Sequence, residues 1–192
     1  MKEIPDSELV VSSREGSQEA YAELFHRYKH KLLNYIYGYV GNFTAAQELS
    51  QETFIRAFEH LDELRDDAKF SSWLFSIATN ISRNFIAERK KEPGESMDRP
   101  INASASLTLA DVVPDDRYRP DSQIEKQQLQ EKIQRAIDSL APHYREVLLL
   151  CDIEGFSYEE IARILRCKVG TIGSRLNEAR KKFRAAFRKE KE

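Results

Sequence analysis

Glycine and proline are scarce, seven and six in 192 residues, and the turn-rich sandwiches and barrels of all-β proteins need more of both. Only two cysteines occur, Cys151 and Cys167. That number excludes a disulfide-framed scaffold, and their spacing fits no compact metal motif. Both are expected to serve as small, mostly buried apolar side chains. Long apolar runs are missing too. The longest, Val147 to Cys151, is far short of a membrane span, and the opening MKEIPDSELVV holds no signal-peptide core. A cytoplasmic protein without membrane insertion is expected. Neither a glycine-rich phosphate loop nor a nucleophile motif is present. His26 and His30 sit at i, i+4, but no third ligand accompanies them. No enzymatic activity, cofactor or metal site is therefore expected.

What is there is helical. Charged residues make up 32% of the chain and mean hydropathy is -0.61, yet 41% hydrophobic content suffices for packed cores. The net charge of -2 conceals a polarised distribution. From Thr44 to Asp67 the acids Glu48, Glu52, Glu59, Asp62, Glu63, Asp66 and Asp67 outweigh Arg56 and Arg65. From Arg163 onward, eleven basic residues face only Glu178, Glu190 and Glu192. The first segment suits a basic protein partner, the second suits phosphate.

Periodicity divides the chain. Asp6 is placed to cap a short helix through Val11, and Gly16-Ser17 breaks it. Tyr21, Leu24, Phe25, Tyr28, Leu32, Tyr35, Ile36 and Tyr39 then recur at three- and four-residue steps, a stripe that must face a core. Thr44 and Gln47 have the spacing of a capping box before Leu49, Phe54, Ile55, Phe58 and Leu61. A fourth helix starts near Phe70 and carries Trp73, Leu74, Ile77, Ala78, Ile81 and Phe85. From Glu92 to Pro120 the period vanishes and four of the six prolines appear, as in a flexible linker. After Asp121 it resumes with Ile124, Leu129, Ile133, Ile137 and Leu140; Pro142 opens the next helix and Gly155 ends it. The expected fold is all-α, two small helical domains over 1–91 and 121–192 joined by a linker over 92–120.

The stretch FSYEEIARILRCKVGTIGSRLNEARKKFR, from Phe156 to Arg184, has the form of a helix-turn-helix. Ser157 and Glu160 form a capping box, and Ile161, Ala162, Leu165, Val169 and Ile172 are placed to lie under the helix crossing. Thr171, Ser174, Arg175 and Asn177 would face bases or phosphates, followed by Arg180, Lys181, Lys182 and Arg184. Such a motif names a groove and not a task. In the first half, Phe70 and Trp73 stand beside polar residues and a run of Arg and Lys, a composition suited either to a helical core or to holding unpaired bases.

These residues resemble the sigma-70 family of RNA polymerase initiation factors, in its extracytoplasmic-function (ECF) group. AAQELSQETFIRAFEHLDELR resembles the region 2 helix that docks on core polymerase, and FSSWLFSIATN the promoter-melting segment. LAPHYREVLLLCDIEGFSYEEIARILRCKVGTIGSRLNEARKKFR resembles region 4. By that resemblance Gln47, Glu48, Leu49, Gln51, Glu52, Phe54, Ile55 and Arg56 grip a coiled coil of the largest polymerase subunit. Lys69, Phe70, Ser71, Ser72, Trp73 and Asn80 unstack and read the minus-ten element, with Arg83, Arg89, Lys90 and Lys91 on its phosphates. Tyr158, Glu159, Thr171, Ser174, Arg175, Asn177, Glu178, Arg180 and Lys181 meet the minus-thirty-five element. Tyr144, Val147 and Leu148 are divided between the region 4 core and the polymerase flap. An anti-sigma factor is a further implied partner.

The chain departs from the family pattern at Gly173 and Glu178, where basic residues are common, at Arg166, where a turn glycine is frequent, and at Asn84, where Asp is frequent. Energetics favours action with polymerase. Opening about ten base pairs forfeits about 14 kcal/mol at about 1.4 kcal/mol per step, while a stacked base returns ~1–3 kcal/mol. The alternatives are a helix-turn-helix regulator acting without polymerase docking, and a docking module that has lost promoter recognition.

Overall fold

The structure, a computed structural model, describes residues 4–89 and 123–189; the expected linker, Lys90 and Lys91 lie outside the described residues. The first half is four helices: α1 (Asp6–Arg14), α2 (Gln18–Val40), α3 (Phe43–Glu59) and α4 (Phe70–Arg89), with single 3-10 turns at Leu61–Glu63 and Asp67–Lys69. Ser17 caps α2 by accepting from the Ala20 N–H at 3.2 Å. Gly41, in the left-handed region at φ 68, closes it. The stripe on α2 buries Leu24, Leu32, Tyr35, Ile36 and Tyr39 against α3 and α4. Burying tyrosines requires partners for their hydroxyls; that of Tyr35 shares a 2.7 Å hydrogen bond with Thr79 Oγ1.

Two expected caps are replaced. Asp6 does not cap α1, which runs on to Arg14; its carboxylate instead accepts from Arg27 at 2.8 Å and from the Tyr28 hydroxyl. At α3 the cap is Asn42, whose Oδ1 accepts from the Ala45 N–H at 2.9 Å, while Thr44 lies exposed inside the first turn. Asn42 has the extended backbone that aims a side-chain oxygen at the orphan N–H groups, and Thr44 does not. Asn42→Ala is accordingly expected to cost about 1 kcal/mol of stability and Thr44→Ala a few tenths at most, as urea denaturation would measure.

The second half comprises α5 (Gln123–Asp138), α6 (Pro142–Leu148), α7 (Tyr158–Ile164) and α8 (Val169–Lys189), with a π-type turn, Leu149–Ile153, continuing α6. The expected Ser157–Glu160 capping box is present. Under the crossing of α7 and α8, Ile161, Ala162, Leu165 and Ile172 are buried. Val169 is not: it is 41% exposed, as the first residue of α8 pointing away from the crossing. Arg166 supplies the left-handed turn residue at φ 52, a conformation that glycine adopts without steric cost.

The two halves pack together. Helix α4 lies against α7, and α2 against both α5 and the turn after α6, so that one hydrophobic core runs through both. Glu154, just past that turn, is half-buried; burial pushes its carboxyl up to about 8, with Lys31 of α2 opposing the shift. The fold therefore favours protonated Glu154. This contribution is whole below the ordinary value of 4.5 and is lost as pH rises through about 8. The melting temperature of Glu154→Gln minus that of the native chain is expected to grow from pH 5 to pH 9.

Candidate protein and nucleic-acid surfaces

An apolar groove of about 430 Å³ runs between α2 and α3, lined by Tyr21, Phe25, Phe54, Ile55 and Phe58, with Gln51 and Glu59 at its rim. Ile55 is 58% exposed and Phe58 54%, unusual for large apolar side chains grouped on one face. Aromatic rings pack at the base of the groove. The Phe25 and Phe54 rings are 4.7 Å apart and those of Tyr21 and Phe58 4.6 Å. The Tyr21 hydroxyl donates to the Phe54 carbonyl at 2.5 Å, and burial raises its pKa to about 12. Of the expected polymerase-facing residues, Gln47, Glu48, Gln51, Ile55 and Arg56 are exposed on α3, and Glu52 pairs with Arg56 at 2.6 Å. Leu49 and Phe54 are buried and shape this face from behind. Tyr21, Phe25 and Phe58, core positions by periodicity, line this groove instead. The adjacent pair Leu24-Phe25 carried the signal, because one helix face cannot bury two consecutive side chains equally; Leu24 is inside and Phe25 out.

The loop between α3 and α4 is tied down by Arg14. Its guanidinium donates to the Leu61 carbonyl at 3.1 and 3.2 Å, to the Leu64 carbonyl, and to Asp67 at 2.7 Å. No local pattern marks Arg14, whose partners lie 47 to 53 residues away. Lys69 is exposed and pairs with Asp66, whose carboxyl is held below its usual range chiefly by that hydrogen bond. Phe70 and Ser72 are buried, correcting the expectation that they touch bases. The Phe70 ring instead supports Trp73, centroids 6.2 Å apart, and meets Tyr28 at 5.5 Å. Trp73 and Ser71 are half-buried and Asn80 is exposed further along α4. Arg89 is exposed, its guanidinium 5.4 Å above the Phe85 ring. Arg83 is not free for phosphate: it forms a double hydrogen bond to Glu146 of α6 at 2.6 and 2.7 Å, which raises its pKa.

On the helix-turn-helix, Tyr158, Glu159, Ser174, Asn177 and Lys181 are exposed, and Thr171, Arg175 and Glu178 partly so. The Ser174 hydroxyl donates back to the Thr171 carbonyl at 3.1 Å. Glu178 pairs with Lys182 at 3.5 Å, which offsets its charge toward an approaching phosphate. Arg180 is committed to Asp152, donating at 2.9 and 2.5 Å, and so braces α8 rather than reaching outward. A Cβ added at Gly173 would meet the Tyr158 ring at an ordinary 3.7 Å; packing does not demand glycine there. Val147 and Leu148 are buried in the core, whereas Tyr144 stays half-buried under the Lys182 ammonium at 5.6 Å. Among the described residues no group of His, Cys, Asp and Glu is arranged to hold a metal, and no helix is long and apolar enough to cross a membrane.

The family model for sigma-70 region 2 matches residues 24–92, and that for sigma-70 region 4 matches 130–183. The chain is 34% identical over 179 residues to the ECF RNA polymerase sigma factor SigW of Bacillus subtilis, covering 93% of this chain and 95% of that one. It is 32% identical over 182 residues to the ECF RNA polymerase sigma-E factor of Escherichia coli K12, covering 93% and 92%. It is also 32% identical over 176 residues to the RNA polymerase sigma-H factor of Pseudomonas aeruginosa, covering 91% and 90%. Among solved structures, CnrH in complex with the cytosolic domain of CnrY shares the fold at a TM-score of 0.68 and 24% identity, covering 95% of this chain and 96% of that one. RpoE of Bartonella quintana in complex with the anti-sigma factor NepR does so at 0.67 and 22%, covering 88% and 96%.

Proposed function

Because the chain belongs to the ECF group of the sigma-70 family, a non-enzymatic transcription initiation factor that joins core RNA polymerase and promoter DNA, we propose a division of labour among its surfaces. The groove on α2 and α3, with the acidic and amide side chains of Gln47, Glu48, Gln51 and Glu52 beside it, docks on the coiled coil of the largest polymerase subunit. Its exposed apolar centre and polar rim are the anatomy of a protein interface. Lys69, Trp73 and Asn80 hold the unpaired minus-ten strand, Trp73 by stacking; Phe70 and Arg14 position them. Thr171, Ser174, Arg175, Asn177 and Lys181 of α8, with Tyr158 and Glu159 of α7, meet the major groove of the minus-thirty-five element. The boundaries at 1–91, 92–120 and 121–192, the cytoplasmic location, and restraint by an anti-sigma factor belong to the same reading. For the last, the Bartonella RpoE–NepR complex is the supporting parallel.

The observation that carries this assignment is the groove, exposed on the same unit as the promoter-melting helix. A regulator acting on duplex alone has no use for an apolar face there. The test is transcription of fragmented host DNA by host core polymerase with and without the purified protein, followed by sequencing of RNA 5′ ends. New starts that share two upstream motifs are expected, and their loss with Arg175→Glu. Unchanged starts with active core would reject the reading.

A further inference from the structure

The contact between the two halves is built around one charge. The Glu146 side chain is 3% exposed. It accepts two hydrogen bonds from Arg83 of α4, at 2.6 and 2.7 Å, and a third from the Tyr39 hydroxyl of α2 at 3.0 Å. Next to it, Arg145 donates to the Tyr39 carbonyl at 2.6 Å and Gln134 of α5 to the Gly38 carbonyl at 3.3 Å. Gly38 is a notch for Leu149: a Cβ on residue 38 would lie 2.8 Å from the leucine Cδ2. About two turns earlier on α4, Phe75 meets Phe156 edge-on at 4.8 Å. A buried carboxylate filled on both oxygens by groups from two other helices is specific to one arrangement of the halves, since a displaced Glu146 would leave buried polar groups unpaired.

This arrangement excludes promoter binding. The minus-ten and minus-thirty-five elements are about 25 base pairs apart by their names, ~85 Å at ~3.4 Å per base pair. The halves that would read them are here in hydrogen-bond contact. The first helix of the helix-turn-helix packs on the promoter-melting helix α4, and Arg83, expected on phosphate, is occupied.

We infer that Glu146, Arg83 and Tyr39 form an intramolecular latch that closes region 4 onto region 2 in the free chain, so that the factor restrains itself until polymerase pulls the halves apart. The inference rests on the assignment of the two halves to promoter elements. It adds that closure needs no second protein. Separation exposes Glu146 and Arg83 to water, where neither requires the other, so the latch is reversible.

Small-angle scattering of the full chain tests it, alongside its association rate with host core polymerase. A closed chain of this length has a radius of gyration of ~16 Å. The native protein is expected near that value. Glu146→Arg should expand it by several ångströms and accelerate association with core, on the order of 5- to 150-fold. Adding Arg83→Glu to that variant restores an opposite-charge pair and is expected to return the radius toward the native value, which a merely misfolded variant would not do. An expanded native chain, a compact Glu146→Arg variant, expansion that the double exchange leaves unrescued, or an unchanged association rate would each overturn the latch. Scattering reports closure whether or not the chain initiates transcription, so loss of the latch would leave the initiation assignment standing. An intact latch without new RNA starts would do the reverse.

Discussion

Ile55→Glu is expected to weaken assembly with core RNA polymerase by roughly 30- to 1000-fold, the range for removing a central apolar anchor and leaving a carboxylate in its place. The side chain is 58% exposed in the free protein, so the substitution should leave thermal stability within about 0.5 kcal/mol of native. That combination is the signature of a docking residue: a core residue would lose both, a bystander neither. Fluorescence anisotropy of the labelled protein titrated with core, beside a thermal melt, reads the two quantities. Phe58→Glu, on the same groove at 54% exposure, should behave alike. Gln47→Ala, at the polar margin, should change affinity little, because rim contacts exclude water more than they contribute energy. Full affinity in both groove variants would move the docking surface elsewhere.

Trp73→Ala is expected to lower open-complex formation on duplex promoter by roughly 5- to 150-fold, the equivalent of the ~1–3 kcal/mol that one stacked base returns. The same variant should recover most of its activity on a template whose minus-ten segment is already unpaired, because the strand no longer needs capture against duplex re-formation. Phe70→Ala is the informative contrast. Phe70 is fully buried under Trp73 and against Tyr28, and its truncation should cost about 3–5 kcal/mol of stability. Activity would then fall on both templates. Permanganate reactivity of unpaired thymines, measured on promoters mapped from the new RNA starts, separates the outcomes. Equal loss of Trp73→Ala activity on duplex and opened templates would place Trp73 among supporting residues rather than stacking ones.

The helices were legible because their signals are local. The 3.6-residue stripe on α2, the Ser157–Glu160 box, Pro142 and Gly155 each act within one or two turns. The helix-turn-helix was readable because Ile161, Ala162, Leu165 and Ile172 stand at offsets that a steep crossing requires. Asn42 is not marked as a cap by local pattern because Thr44 and Gln47 offer the commoner spacing, and only backbone direction distinguishes two polar candidates two residues apart. Phe70 and Trp73 illustrate a different limit. Three residues apart on one helix, they share a face by period, yet one is buried with the Tyr28 ring of α2 against it and the other is half-buried.

By itself, then, the sequence determined an all-helical chain, a helix-turn-helix in its second half, an acidic segment and a basic one, and the family to which they belong, since all of these reside in residue type and short spacing. Which charges are free to meet a partner was decided only by the tertiary structure. Arg14 holds a loop 47 to 53 residues away, Arg180 is held by Asp152 across 28 residues, and Arg83 by Glu146 across 63. A guanidinium in an open sequence is a donor to whatever phosphate arrives. Folding brings it a carboxylate or a carbonyl first, and helical periodicity, which repeats every few residues, contains no information about a partner that far along the chain.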